Sequence, residues 1–280
     1  MSPKSLRKRK RNKDDEENGD IDFKSNKIMH LVSATDSKEE FLDSSTNILK
    51  LRKKETDLTE VDFAVPYESK EIPSVLTYVG SCSKDRILIV LTHGAGGDLN
   101  TPQLKAIRLF LASQNYVVVC FTCKGLNIKY RIKVFGKVLS YVNEKYSPKM
   151  IFVGGRSMGA RAAAMLVSDE ACDSQVFNKL KGVVCLSYPL HKVGDDSELR
   201  KEPLLNAKKP IFFLSGSNDE MCKKGKLENV LKSMKAPYKL QWLEGYDHSA
   251  KSNQNFKEDD YISAFQEIVK WCQQIQKTNS

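Results

Sequence analysis

The sequence predicts an α/β fold, a mostly parallel β-sheet covered by helices on both faces. Two observations carry this expectation. From Thr56 onward, short runs rich in β-branched and aromatic residues alternate with amphipathic segments, the pattern of strands joined by crossover helices. The run at residues 87–92, Ile-Leu-Ile-Val-Leu-Thr, is apolar with no polar alternation, as a strand covered on both faces must be.

The elements follow in chain order. Residues 61–65 and 75–79 read as two leading strands, ahead of the buried strand at 87–92. Residues 102–112 read as a helix with Thr101 as its cap and Pro102 at the first helical position, where the absent N–H would have no helical acceptor anyway. Residues 116–122 form the next strand, and 132–146 place Val134, Val138, Tyr141 and Val142 at helical spacing. Further strands are expected at 150–153, 182–186, 211–214 and 238–243. The last helix sets Tyr261, Phe265, Ile268, Val269 and Cys272 on one face, a core-facing stripe. No internal repeat is evident, and residues 56–280 are expected to form one domain.

Residues 1–55 are polar, charge-blocked and poor in aromatics. Such a segment offers too little apolar surface to offset the entropy of ordering, so a disordered tail is expected, with at most a short helix at 41–51. Its basic run Arg7-Lys8-Arg9-Lys10-Arg11 reads either as a nuclear-import signal or as a solvated charge cluster. The tail opens without the apolar stretch and small-residue cleavage site of a secretory signal, which points to the cytoplasm, the nucleus or both.

The 280 residues, 40% hydrophobic and 29% charged, suit one substantial core. The apolar runs are far shorter than the roughly 20 residues of a spanning helix, so no membrane span is expected. Seven cysteines, an odd number without framework spacing, fit reduced thiols. Cys120 and Cys123 form C-x-x-C, but on a strand positions three apart point to opposite faces, so buried structural thiols are expected rather than a metal or redox pair. No metal or cofactor is anticipated. The net charge of +10 is not concentrated at the start, because residues 1–20 carry seven basic and five acidic side chains, a net of +2. Without an RNP, zinc-finger or recognition-helix signature, a diffuse positive charge supports only weak, salt-sensitive binding, and nucleic acid is not the expected partner.

The chemistry is concentrated at the ends of the expected strands. After 150–153 comes Gly154-Gly155-Arg156-Ser157-Met158-Gly159 and then a strong helix former at 160–167. This is G-x-S-x-G between strand and helix, the context in which a sharp turn presents a nucleophilic serine. Small residues two before and two after Ser157 are needed because that turn crowds neighbouring backbone. The helix that follows places its positive dipole end at any negative charge developing on the reacting atoms. After strand 87–92 comes His93-Gly94-Ala95-Gly96-Gly97, a loop able to aim backbone N–H groups, with Ala95 and Met158 as the expected oxyanion donors. A bare turn is the alternative for these glycines. Strand 211–214 leads through Ser215-Gly216-Ser217-Asn218 to Asp219, the expected acid, with Glu220 as the neighbouring alternative. Of the four histidines, 30, 93, 191 and 248, only His248 follows the acid, which makes it the expected base in the order serine, acid, histidine. His93 is expected to be structural in its loop or, with Gly94, Lys124, Arg156 and His191, to face substrate.

From about Thr56 onward the chain resembles the small α/β-hydrolase-like family of testis-expressed protein 30, related to the hydrolase-like domain of the third regulatory subunit of the non-specific-lethal chromatin complex. The resemblance rests on Leu91-Thr92-His93-Gly94-Ala95-Gly96-Gly97, Phe121-Thr122-Cys123-Lys124-Gly125-Leu126-Asn127, the elbow region 154–164, Ser187-Tyr188-Pro189-Leu190-His191, and Ser215-Gly216-Ser217 with Asp219-Glu220-Met221-Cys222. It implies an α/β-hydrolase fold and the triad Ser157, Asp219 and His248. About two dozen residues separate strands 182–186 and 211–214, too few for a lid domain, so an open site for a soluble ester, a thioester or an acylated surface is expected. Lys124, Arg131, Arg156, Arg161 and His191 fall near the same sheet edge. They either converge on an acidic substrate group or are solvated and structurally paired. Two functions compete: a serine hydrolase acting on a small-molecule or acyl substrate, and a catalytically silent interaction module with protein partners, as the chromatin-complex relative implies.

Overall fold

The computed structural model describes residues 58–83, 85–252 and 258–278. The expected tail, its helix at 41–51 and the basic run at 7–11 lie outside the described residues. The strands are β1 (Leu58–Tyr67), β2 (Lys70–Val79), β3 (Ile87–Thr92), β4 (Val117–Phe121), β5 (Met150–Arg156), β6 (Leu180–Leu186), β7 (Ile211–Gly216) and β8 (Tyr238–Leu243). They form one sheet in the order β1-β2-β4-β3-β5-β6-β7-β8. β1 and β2 make an antiparallel hairpin, β2 is antiparallel to β4, and every pairing from β4 through β8 is parallel.

Among the described residues seven helices cover the sheet: α1 (Pro102–Ser113), α2 (Ile128–Tyr146), α3 (Met158–Ser168), α4 (Ser174–Lys179), α5 (Glu202–Leu205), α6 (Lys224–Lys232) and α7 (Glu258–Thr278). Strand alternation sorts the core into two layers. Leu88 and Val90, Ile151 and Val153, and Ile211 and Phe213 face the layer that α2 to α6 complete. Ile89, Leu91, Phe152 and Phe212 face α1 and α7. Burying such side chains contributes about 1.5–3 kcal/mol each, so both faces of the sheet are held. On the α7 side the indole of Trp271 meets Phe152 and Phe212 edge-on, with ring centroids 5.7 Å apart in both pairs. Gly182 makes room for it, since a Cβ there would lie 2.6 Å from the indole.

The structure amends the sequence expectations in detail. Thr101 is the N-cap position of α1 but makes no forward side-chain cap. Its hydroxyl turns back instead, donating to the Asp98 carbonyl and accepting from the Asp98 N–H. β1 and β2 run well beyond the apolar residues that announced them, because the hairpin register continues to the Tyr67–Lys70 pair. Cys120 and Cys123 lie in opposite core layers, and all seven cysteines are free. Burial pushes the Cys120 thiol up to about 12, so it is an inert core group rather than a reactive one.

Because β3 to β8 run the same way, their C-terminal ends share one edge of the sheet. The loops after β3, β5, β7 and β8 therefore meet there, the usual place for a site in a sheet of this kind.

Candidate active site

Ser157 occupies the turn between β5 and α3 with φ 52° and ψ −114°, a conformation that a residue with a Cβ adopts only under constraint. The constraint is visible. Its N–H donates to the Leu186 carbonyl at 2.9 Å, and its neighbours at positions two before and two after are pressed against β3. A Cβ on Gly155 would lie 2.4 Å from the Thr92 carbonyl oxygen and 2.9 Å from the Gly159 carbonyl carbon. A Cβ on Gly159 would meet the same Thr92 oxygen at 2.4 Å. The elbow thus requires glycine on both sides for steric reasons alone.

Ser157 Oγ lies 2.8 Å from Nε2 of His248. On the other side of the imidazole, Nδ1 lies 2.9 Å and 3.0 Å from the two carboxylate oxygens of Asp219. A carboxylate accepts only, so Nδ1 carries the proton and Nε2 is left to accept from the serine hydroxyl. Ser157 and His248 are each 8% exposed and Asp219 3%, so the chain of hydrogen bonds is shielded yet reaches the surface at its serine end. Asp219 is fixed in turn by the Met221 N–H, which donates to its Oδ1 at 2.7 Å. The alternative acid, Glu220, does not approach the ring; its Oε2 accepts from the His248 backbone N–H at 3.2 Å.

Arg156 holds the other end of the same residue, donating from Nη2 to the His248 carbonyl at 2.7 Å. The histidine loop is therefore clamped at its N–H by Glu220 and at its C=O by Arg156. Burial pulls the Arg156 pKa down, with Asp219 acting in the opposite sense.

The loop after β3 is built as a rigid shelf. His93 is fully buried; its Nε2 accepts from the Cys123 N–H at 2.9 Å, so its Nδ1 carries the proton and donates to the Gly94 carbonyl at 2.6 Å. Arg131, also buried, donates to the carbonyls of His93, Gly94 and Gly125. Gly94 approaches the serine so closely that a Cβ on it would lie 3.2 Å from Ser157 Cβ. Ala95 follows in an exposed turn, and Met158 is the first residue of α3, where a backbone N–H has no acceptor inside the helix.

Two of the side chains expected to face substrate are held by backbone groups. His93 and His191 have both ring nitrogens engaged with backbone. His191, 1% exposed, accepts from the Lys223 N–H at Nε2 and donates from Nδ1 to the Lys192 carbonyl, while its own N–H donates to the Met221 carbonyl. It ties the loop after β6 to the turn carrying Asp219. Arg156 braces the histidine loop, and Lys124 is exposed. Arg131, Glu220 and His191 as braces were not legible in sequence, because their partners are carbonyls and amides of loops distant along the chain. No group of three or more His, Cys, Asp or Glu able to hold a metal ion occurs among the described residues, and no described helix is long and apolar enough to cross a membrane.

Burial draws the His93 pKa below its ordinary 6.5, and the nearby Arg131 cation acts in the same sense. The folded protein therefore binds fewer protons here than the unfolded chain as pH falls past 6.5. Stability contributed by neutral His93 is present above that value and is lost as pH drops toward the lower folded-state value. The thermal midpoint of the wild type is expected to fall more steeply below pH 6.5 than that of His93→Gln, which keeps a donor and an acceptor but does not titrate. Parallel pH profiles would show that His93 does not contribute.

Residues 85–276 match the model of a family described as an alpha/beta hydrolase domain, well over half of the chain. The chain belongs to that family. Among solved α/β hydrolases it is similar to a serine hydrolase homologue from Coxiella burnetii, at 16% identity and TM-score 0.60, over 75% of this chain and 96% of that one. It is similar to a serine hydrolase without a lid from Xanthomonas campestris, at 12% identity and TM-score 0.59, over 76% and 94%. It is also similar to Thermogutta terrifontis esterase 2 phosphorylated by paraoxon, at 12% identity and TM-score 0.62, over 77% and 94%. At these identities the likenesses show the α/β-hydrolase fold alone.

Proposed function

We propose that this α/β hydrolase is a serine hydrolase of esterase or thioesterase type, with Ser157 as nucleophile, His248 as base and Asp219 as the group that orients His248. The observation that carries this reading is the continuous path Ser157 Oγ, His248 Nε2, His248 Nδ1, Asp219 carboxylate, each step within 2.8–3.0 Å. Ser157 attacks the acyl carbon and passes its proton to Nε2. The oxyanion that forms is met by the N–H groups of Met158 and Ala95, a role supported by their position beside the elbow. Collapse of the tetrahedral species expels the alkoxide or thiolate, which takes the proton from Nε2 and leaves an acyl-serine. Water, deprotonated by the same nitrogen, then releases the acid and restores the serine.

The β6–β7 connection carries only the four-residue α5, which favours an entrance without a lid. Two similar structures, a lidless serine hydrolase and an esterase phosphorylated by paraoxon, agree with this reading. Within the family we place the chain beside testis-expressed protein 30 on the motifs given above. The connected serine, imidazole and carboxylate weigh against a silent interaction module, for which such alignment has no use.

The test is turnover of short p-nitrophenyl esters and thioesters. Wild type is expected to hydrolyse at least one, and Ser157→Ala to fall to the uncatalysed background. Equal turnover by both would overturn the assignment of the nucleophile.

A further inference from the structure

An open cleft of about 360 Å³ lies between α3 and the β6–β7 connection, within the range of small-molecule sites. One wall is the face of α3 that carries Arg161 and Met165; the other includes Lys192, Leu199, Arg200 and Pro203. Arg161 is four residues after Ser157, one helical turn or about 5.4 Å along the axis. Its N–H donates to the Ser157 carbonyl. Helical side chains generally lean toward the N-terminus, which in α3 is the end next to Ser157.

Arg161 is half-buried, and among the described residues its guanidinium has no hydrogen-bond or ion-pair partner. Arg200 stands near enough to disfavour its charge and is itself held in place, donating from Nη1 to the carbonyls of Pro189 and His191. Three carboxylates, Asp169, Glu198 and Glu202, also line the cleft. They are exposed, where water screens them, and none forms an ion pair with either arginine among the described residues. Two guanidiniums lining one cleft, one of them unpaired and partly removed from water, are an unfavourable arrangement that a bound anion relieves. Their planar forks match a carboxylate or phosphate.

We infer that Arg161 and Arg200 form an anion subsite, and that the ester or thioester cleaved at Ser157 carries a carboxylate or phosphate on its acyl part, a few bonds from the reacting carbonyl. The inference rests on the proposed hydrolase reading for its use, but not for the binding itself. Met165, Leu199 and Pro203 supply apolar surface for the chain between the two ends.

Two measurements decide it. In the first, kcat/KM is compared for p-nitrophenyl hydrogen glutarate and for p-nitrophenyl butyrate. Wild type is expected to prefer the anionic ester, and Arg161→Gln to lower that preference roughly 10- to 100-fold, the range for lost charge-assisted hydrogen bonds. Arg161→Lys, which keeps the charge without the fork, is expected to fall between. In the second, free glutarate and inorganic phosphate are titrated into Ser157→Ala while thermal unfolding is followed. At least one is expected to raise the midpoint, identifying carboxylate or phosphate as the better ligand, and the rise is expected to vanish in Ser157→Ala/Arg161→Gln. A preference unchanged by Arg161→Gln would overturn the role in substrate selection. A midpoint that neither anion moves would overturn the subsite, whatever the fate of the nucleophile assignment.

Discussion

His248→Ala is expected to lower kcat/KM on an activated ester by about 10⁴-fold or more, and Asp219→Asn by a comparable factor with the fold intact. The reasons differ. Without the imbidazole, nothing accepts the hydroxyl proton, and a serine hydroxyl is a weak nucleophile at neutral pH. With asparagine at 219, the amide NH₂ can donate to Nδ1, so the ring is held in the tautomer with its proton on Nε2, where it cannot accept from Ser157. In the proposed mechanism the three side chains act as one unit, so the double variant His248→Ala/Asp219→Asn is expected to be little worse than His248→Ala alone. Additive losses would contradict a shared path. Steady-state kinetics with circular dichroism on each variant makes the comparison.

The second large effect concerns the backbone. Gly155→Ala is expected to destabilise the protein by about 3 kcal/mol, the upper part of the range for overpacking a rigid site. The added Cβ would lie 2.4 Å from the Thr92 oxygen, with no flexible side chain to move aside. The same methyl would press on Gly159 across the elbow, so the strained φ of Ser157 is expected to relax and activity to fall further than stability alone accounts for. Denaturant unfolding together with kcat reads both. A Gly155→Ala protein of unaltered stability and activity would show that the close approach is not enforced.

Much of this was legible in the sequence because it depends on short-range pattern. The continuous apolar runs of β3 and β7, the G-x-S-x-G between β5 and α3, and the position of His248 after Asp219 are all local or ordinal features. What was missed depends on partners far along the chain. α6 has Lys223 at its N-cap position without a side-chain cap and Gly225 in its first turn, so its helical signal is weak until Leu227, Val230 and Leu231 find the core. α4 did leave a trace, since the Asp173 carboxylate caps the N–H groups of Gln175 and Val176, although six residues give little periodicity. β2 contains Pro73, which argues against a strand from sequence. It is tolerated because β2–β4 pairing starts only at Ser74, and Pro73 contributes its carbonyl to the Thr122 N–H.

The site shows the same division. Ser157, Asp219 and His248 could be named from residue type and order, whereas the braces could not. Arg131 and His191 carry charge or titratable rings that invite a substrate role, but three carbonyls of loops after β3 and β4 take up the former and two backbone groups the latter. Arg161 and Arg200 are 39 positions apart by their numbering, and only the path of the β6–β7 connection over α3 brings them to one cleft.

The proposed mechanism requires Ser157 to be an activated nucleophile. The most direct measurement is peptide mapping by mass spectrometry after treating the purified protein with a fluorophosphonate. One phosphonylated residue, Ser157, is expected in wild type, with no adduct in Ser157→Ala and a severely slowed one in His248→Ala. A well-folded wild type that takes up no probe, or an adduct that survives Ser157→Ala, would contradict it.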